Sequence, residues 1–260
     1  MNETLFSQIQ RLLERTYAQV GINLEDCIID RVRSVHLSKL AGASARELNE
    51  IARTFLRHAG DQLYIGIYYS RWLIDQLERH DPRSGLSDSN IRSLIVFVEE
   101  LNHALHAALQ FKNGQRRIAS EEFARDLELQ AQVDTYLVLL LFVAFFRKTQ
   151  RVSRTDRRWL RFHLFSRQCP EAFRNENLRG RYLETCGCAS GVVEGMAGGL
   201  VGTVGAVSDG PVSGRSAADP SNRAARMGMV CNSPRYFTRT EVASLETTGS
   251  FIPAGKTVSP

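Results

Sequence analysis

Apolar residues recur every three or four positions from the N-terminus to about residue 180, and this spacing constrains the fold more than any other feature of the sequence. It is the period of an amphipathic helix, and no segment shows the alternation of apolar and polar residues that is typical of a half-buried strand. The chain is therefore predicted to be all-α, a multi-helix bundle of about six to seven helices.

Short polar side chains and glycines mark the ends of these helices. Ser44 and Glu47 have the spacing of a capping box, Ser120 can cap a helix with an acidic first turn, and Thr155 opens a shorter basic helix. Gly60 marks a stop or a kink between two helical segments. Helices are expected over residues 3–20, 24–40, 44–59, 62–79, 90–111, 121–148 and 155–169.

The composition changes abruptly beyond about Glu184, where Gly, Ser, Ala, Val and Thr dominate and no period persists. Six glycines fall within residues 189–207, which makes a stable isolated helix improbable there. The sequence thus predicts a helical domain over residues 1–180 and a Gly/Ser/Ala-rich, mostly disordered tail over residues 181–260.

The longest uninterrupted apolar run, residues 136–146, is well short of the roughly 20 residues that cross a bilayer, so no transmembrane segment is expected. The N-terminus lacks the basic and apolar regions of a secretory signal. Five cysteines, an odd number, do not form a disulfide framework in a chain without such a signal. We therefore expect a cytoplasmic protein.

One stretch carries candidate chemistry, residues 98–106, where carboxylates and imidazoles interrupt an apolar helix. At 100° per residue, Glu99, His103 and His106 fall within an arc of roughly 60°, and Glu100 lies on its flank. From Ser93 to Phe111 the only formal charges are these two glutamates. A solvent-facing helix usually carries lysine or arginine as well, so the stripe is expected to point inward.

The Glu100-Leu101-Asn102-His103 segment places a carboxylate and an imidazole one helical turn apart, where both can meet one cation. It resembles half of the di-iron site of ferritin-like carboxylate proteins, which carry this motif on two helices. This chain has one copy, which favours a single ion, zinc, iron or manganese. Glu128 or Asp134, on the next long helix, is expected to complete the site.

Two readings of this stripe remain open. In the first, the protein holds one divalent metal ion through Glu99 or Glu100, through His103 with or without His106, and through an acid from Glu128 or Asp134. If this protein is an enzyme, the ion would activate water or dioxygen while a spare glutamate moves protons. In the second, the stripe is an ordinary polar face or a buried hydrogen-bond network, and the chain is a non-catalytic helical interaction module that binds a protein or nucleic acid through its apolar grooves and the basic segment 147–161.

The interaction reading draws on a basic segment. Seven arginines and lysines lie between Arg147 and Arg161, against the single acid Asp156. With Trp159, Phe162 and Phe165 interleaved, this segment could bind nucleic acid or lie on an anionic surface. The alternative is a solvated helix whose aromatic residues face the core.

Overall fold

Seven α-helices and a small sheet make up the part of the chain that the computed structural model describes, residues 3–41, 51–118, 120–148, 152–166, 176–202 and 257–258. The helices are α1 (Leu5–Thr16), α2 (Arg31–Leu40), α3 (Arg71–Arg79), α4 (Ile91–Lys112), α5 (Glu121–Phe146), α6 (Arg154–Arg161) and α7 (Glu176–Gly202). The strands are β1 (Ile28–Ile29), β2 (Ala52–Ala59), β3 (Gln62–Tyr69) and β4 (Thr257–Val258). A helix-rich fold is thus confirmed, but the expectation of a chain without strands is wrong.

An antiparallel hairpin, β2 and β3, replaces helix where the sequence was expected to continue its helical period. Ala59 pairs with Gln62, so Gly60 and Asp61 form a two-residue turn, and Gly60 has a φ of 60°. Such turns favour glycine because it adopts positive φ without strain. Alternate residues of β3 are buried and rich in branched and aromatic side chains, which favours a strand: Leu63, Ile65, Ile67 and Tyr69.

The hairpin lies on α4 and is tied to it by two side-chain hydrogen bonds. The hydroxyl of Thr54 donates to the carbonyl of Glu100 at 2.9 Å, and the hydroxyl of Tyr69 donates to the carbonyl of Phe97 at 2.9 Å. β1 pairs in parallel with β3, and β4 pairs with β3 in antiparallel. The sheet therefore covers the segment of α4 that carries the polar stripe.

Helix α4 lies at the centre of the fold, in contact with β2, β3, α1, α3 and α5. Every residue from Leu101 to Leu109 is buried. Asn102 is held inside this apolar segment by donating to the hydroxyl of Thr135 at 3.2 Å and to the carbonyl of Ala131 at 3.4 Å. These bonds fix how α4 and α5 meet, because an unpaired amide in the core would be costly.

The predicted helix boundaries hold in part. Ser120 caps α5, its hydroxyl accepting from the amide of Phe123, as expected. α6 is capped by Ser153 and not by Thr155, and the predicted helix over residues 24–40 is broken into a 3₁₀ turn, β1 and α2. The capping box of Ser44 and Glu47 lies outside the described residues.

Helix α7 crosses the boundary that was predicted at residue 180. Thr185, Ala189 and Val193, spaced four apart, are buried, and α7 packs against α5. Each glycine costs a helix about 1 kcal/mol relative to alanine, and the burial of this face offsets that cost. The expectation that no helix forms after residue 189 is therefore wrong for residues 189–202. Apart from β4, the rest of the predicted tail lies outside the described residues.

Candidate metal centre

The stripe on α4 points inward, as its composition predicted. His103 and His106 are almost completely buried, whereas Glu99 and Glu100 keep partial exposure at one end of the stripe. The six predicted ligands do not form one group. They fall into two separate clusters, one around His103 and one around His106.

The first cluster surrounds the imidazole of His103. Its Nδ1 is 3.6 Å from Oε2 of Glu100 on the same helix, and its Nε2 is 3.4 Å from Oε2 of Glu128 on α5. Glu99 lies one turn before His103, and its Oε1 is buried with no hydrogen-bond partner among the described residues. Gln132 donates to Oε1 of Glu128 at 3.2 Å. Two carboxylates thus flank one buried imidazole, and the carboxylate of Glu99 lies one helical turn away.

The second cluster joins α1, α4 and α5 through Asp134. Nε2 of His106 lies 2.5 Å from Oδ2 of this carboxylate, and the hydroxyl of Tyr17 donates to Oδ1. Gln130 donates to Oδ1 at 3.1 Å and to the hydroxyl of Tyr17 at 2.7 Å. The ring of Tyr17 also stands edge-on to His106, with centroids 4.8 Å apart. His106 and Asp134 are therefore engaged with each other and not with His103.

The charges of the first cluster shift two pKa values upward. Burial, followed by the charges of Glu128 and Glu100, raises the pKa of Glu99 to about 8, against the lowering effect of His103. Burial lowers the pKa of His103, but hydrogen bonds and charges from Glu100 and Glu128 outweigh it and raise this pKa to about 10. Without an added cation, the cluster therefore binds protons tightly.

These shifts predict how the stability of the metal-free protein depends on pH. The pKa of Glu99 rises from 4.5 to about 8 on folding, so the folded state binds more protons than the unfolded chain between these values, and the free energy of unfolding falls as pH rises. His103 acts in the same direction, with its contribution complete below 6.5 and lost as pH rises through about 10. From about pH 5 to pH 6.5 the loss therefore comes mainly from Glu99.

Urea unfolding in the presence of a chelator checks this expectation. Glu99→Gln should flatten the decline over that pH interval, whereas Glu78→Gln, at an exposed position on α3, should keep it. An identical slope in the parent and Glu99→Gln would show that Glu99 titrates normally.

Two neighbours of the clusters were not expected from the sequence. Cys186 of α7 is close enough to Glu128 and Glu99 for their charges, after burial, to raise its pKa to about 12, while a hydrogen bond with Gln132 acts in the opposite direction. Its spacing to other cysteines gave no sign of this position. Tyr17, which follows α1, was not among the predicted site residues.

Within the described ranges, no three or more His, Cys, Asp and Glu side chains lie close enough together to hold a metal ion as they stand. Two of the predicted ligands, His103 and Glu128, are already in contact. The third acid, Glu99, is on the same face of α4 as His103.

The basic segment is partly engaged in contacts within the protein. Arg147 pairs with Asp156 at 2.6 Å, and Arg161 pairs with Glu194 of α7. Nε1 of Trp159 donates to Asp88 at 3.0 Å, and its ring packs against the core and contacts His163 with ring centroids 4.7 Å apart. Phe165 packs against the core, whereas Phe162 is half exposed.

One helix is long and apolar enough to cross a membrane, judged by length and composition alone. It is Glu122–Phe146 of α5, with a mean hydropathy of 1.7 in its most apolar window. Half of that window is buried inside the protein, and a single such helix is weak evidence for a membrane span because a buried core helix passes the same test. The expectation of no transmembrane segment stays a prediction.

Comparisons with protein-family models, with curated proteins and with solved structures found no match to this chain.

Proposed function

We propose that this protein is a helical metal-dependent hydrolase that holds one divalent ion with Glu99, His103 and Glu128. The observation that carries the proposal is the 3.4 Å contact between Nε2 of His103 and Oε2 of Glu128, with Glu99 one turn before His103 on the same face of α4. Two ligands of a tetrahedral ion with bonds of about 2.1 Å are separated by about 3.4 Å. This pair is therefore spaced as two ligands of one ion.

Glu99 is the third ligand in this proposal. Its Oε1 is buried without a hydrogen-bond partner in the described ranges, and a buried carboxylate in that state is unfavourable unless a cation or a proton compensates it. The upward shift of its pKa is the response expected in the absence of a cation. One imidazole and two carboxylates form a donor set that zinc, iron and manganese all accept.

The spacing of these residues suggests the reaction. In zinc peptidases with the His-Glu-x-x-His motif, ligands at positions i and i+4 of one helix hold the ion, and the glutamate after the first ligand is the general base. Here Glu99 and His103 have the ligand spacing and Glu100 follows the first, although a glutamate stands in place of the first histidine. Glu128 supplies a ligand from the next helix.

A bound divalent ion would supply a Lewis acid that lowers the pKa of a coordinated water. Glu100, which lies beside Nδ1 of His103, would turn from that contact toward the ion, accept the proton from that water and pass it to the leaving group. Glu99 and Glu100 are partly exposed while His103 and Glu128 are buried, so a reactant can approach from the glutamate side. The reaction class is hydrolysis of a carbonyl compound such as an amide or an ester.

Metal analysis tests the proposal directly. The full chain, purified without chelator or histidine tag, is expected to contain close to one equivalent of zinc, iron or manganese by inductively coupled plasma mass spectrometry. His103→Ala should lose it, as should Glu128→Gln, which preserves shape. His36→Ala, at an exposed position on α2, is the matched control. A parent protein that binds none of the three ions, even after incubation with each, overturns the proposal.

A further inference from the structure

The outward face near the end of α5 is an apolar stripe. Leu137, Leu141 and Phe145 are spaced four residues apart, and Leu141 is 50% and Phe145 76% exposed. The sequence carries no charged residue between Asp134 and Arg147. An exposed helix face normally carries charges, so a face of this kind indicates contact with an apolar environment.

Basic side chains cluster where this stripe ends. Arg147 and Lys148 are exposed directly after it. The salt bridge from Arg147 to Asp156 holds the first turn of α6 beside the end of α5, and α6 presents the exposed residues Arg154 and Arg158 one turn apart. Asp156 is the single acid of residues 147–166, and its carboxylate is already paired with Arg147. The end of α5 is therefore apolar on its face and positive at its tip.

We propose that the end of α5 and the adjoining α6 form a docking surface for an anionic phospholipid membrane. Phe145 and Leu141 would enter the boundary between headgroups and acyl chains, and the arginines would contact the anionic headgroups. Shallow insertion of apolar side chains beside basic ones is how peripheral helices bind such membranes. In this proposal α5 does not cross the bilayer, because it also packs against α4 and α7 inside the protein.

The same charges argue against two other occupants. A second copy whose α5 runs parallel to this one would bring two basic tips together, and like charges repel. Nucleic acid would satisfy the arginines and could stack on Phe145, but it would leave Leu137 and Leu141 without a partner, and Trp159 packs against the core. A membrane with anionic headgroups accounts for both the stripe and the tip.

Vesicle flotation with the full chain tests the proposal. The parent should float with vesicles of equal parts phosphatidylcholine and phosphatidylserine and not with phosphatidylcholine alone, and high salt should weaken the binding. Phe145→Ser should lower the affinity about tenfold, and each of Arg154→Ser and Arg158→Ser should lower it about fivefold. All three side chains are exposed, so folding should be unaffected, which circular dichroism verifies.

Matched controls distinguish binding through this surface from nonspecific adsorption to vesicles. Val32→Ser replaces an apolar side chain that is 80% exposed on α2, and Arg15→Ser replaces an exposed arginine on α1, so neither should change flotation. Three results overturn the proposal. They are flotation that is equal for Phe145→Ser and the parent, binding to a single-stranded oligonucleotide without binding to vesicles, and a dimer in sedimentation velocity that Phe145→Ser abolishes.

Discussion

Asp134→Ala is expected to lower the free energy of unfolding by about 3–5 kcal/mol. The Asp134 carboxylate accepts from Tyr17 and Gln130 and pairs with His106, and its side chain is 2% exposed. Removing it leaves a buried imidazole and a hydroxyl without their acceptor, and each unsatisfied group carries a desolvation cost. The change also releases Tyr17, which connects the end of α1 to the central helices.

Urea unfolding followed by circular dichroism measures this effect. Asp126→Ala is the matched control, because Asp126 is an exposed acid two turns earlier on the same helix and should change stability by less than about 0.5 kcal/mol. A loss below about 1 kcal/mol in Asp134→Ala would mean that water replaces the carboxylate in this network.

Glu100→Gln is expected to leave the metal content unchanged while lowering the rate of hydrolysis by about 10²–10⁴-fold. The amide keeps the shape of the side chain but cannot accept a proton from water. The zinc-loaded full chain can be assayed with 4-nitrophenyl acetate and with fluorescein-labelled casein, an activated ester and an unfolded protein. Glu122→Gln, on an exposed position of α5, should retain the parent rate.

A different result would assign Glu100 another role. Its Oε2 is 3.6 Å from Nδ1 of His103, where a carboxylate can orient a ligand imidazole. Such a partner typically changes metal affinity by about 10–100-fold when it is removed. Loss of metal in Glu100→Gln, with the rate per bound ion unchanged, would therefore contradict the assignment as general base.

The long helices could be predicted from the sequence, whereas the sequence of the hairpin could not be distinguished from that of a helix. α4 and α5 are marked by apolar periodicity and by the Ser120 cap. In β3 the alternation of Leu63, Ile65 and Ile67 is masked by Tyr64 and Tyr68 on the other face, so the segment reads as continuously apolar. Gly60 was recognised as a break between two segments, but glycine is found both in a turn between two strands and at a kink between two helices, so it could not distinguish them.

The residues of the candidate site were predicted from the sequence, but their division into two clusters was not. The wheel placed His103 and His106 on one stripe, and both are buried. Which acid meets which histidine depends on how α4 and α5 cross, and the bonds of Asn102 that fix this crossing involve two distant segments. The position of Cys186 beside the site could not be predicted for a related reason, because it follows from the packing of α7 against α5.

The unbroken burial of residues 101–109 in α4 has a consequence for the evolution of this protein. A surface helix has neutral positions on its outer face, where substitutions accumulate with the helical period and reveal the inner face in an alignment. Between Leu101 and Leu109 this helix has no outer face. Relatives should therefore keep the buried apolar residues there, together with Asn102, His103 and His106, without any periodic variation, and divergence should concentrate in the elements that surround the helix.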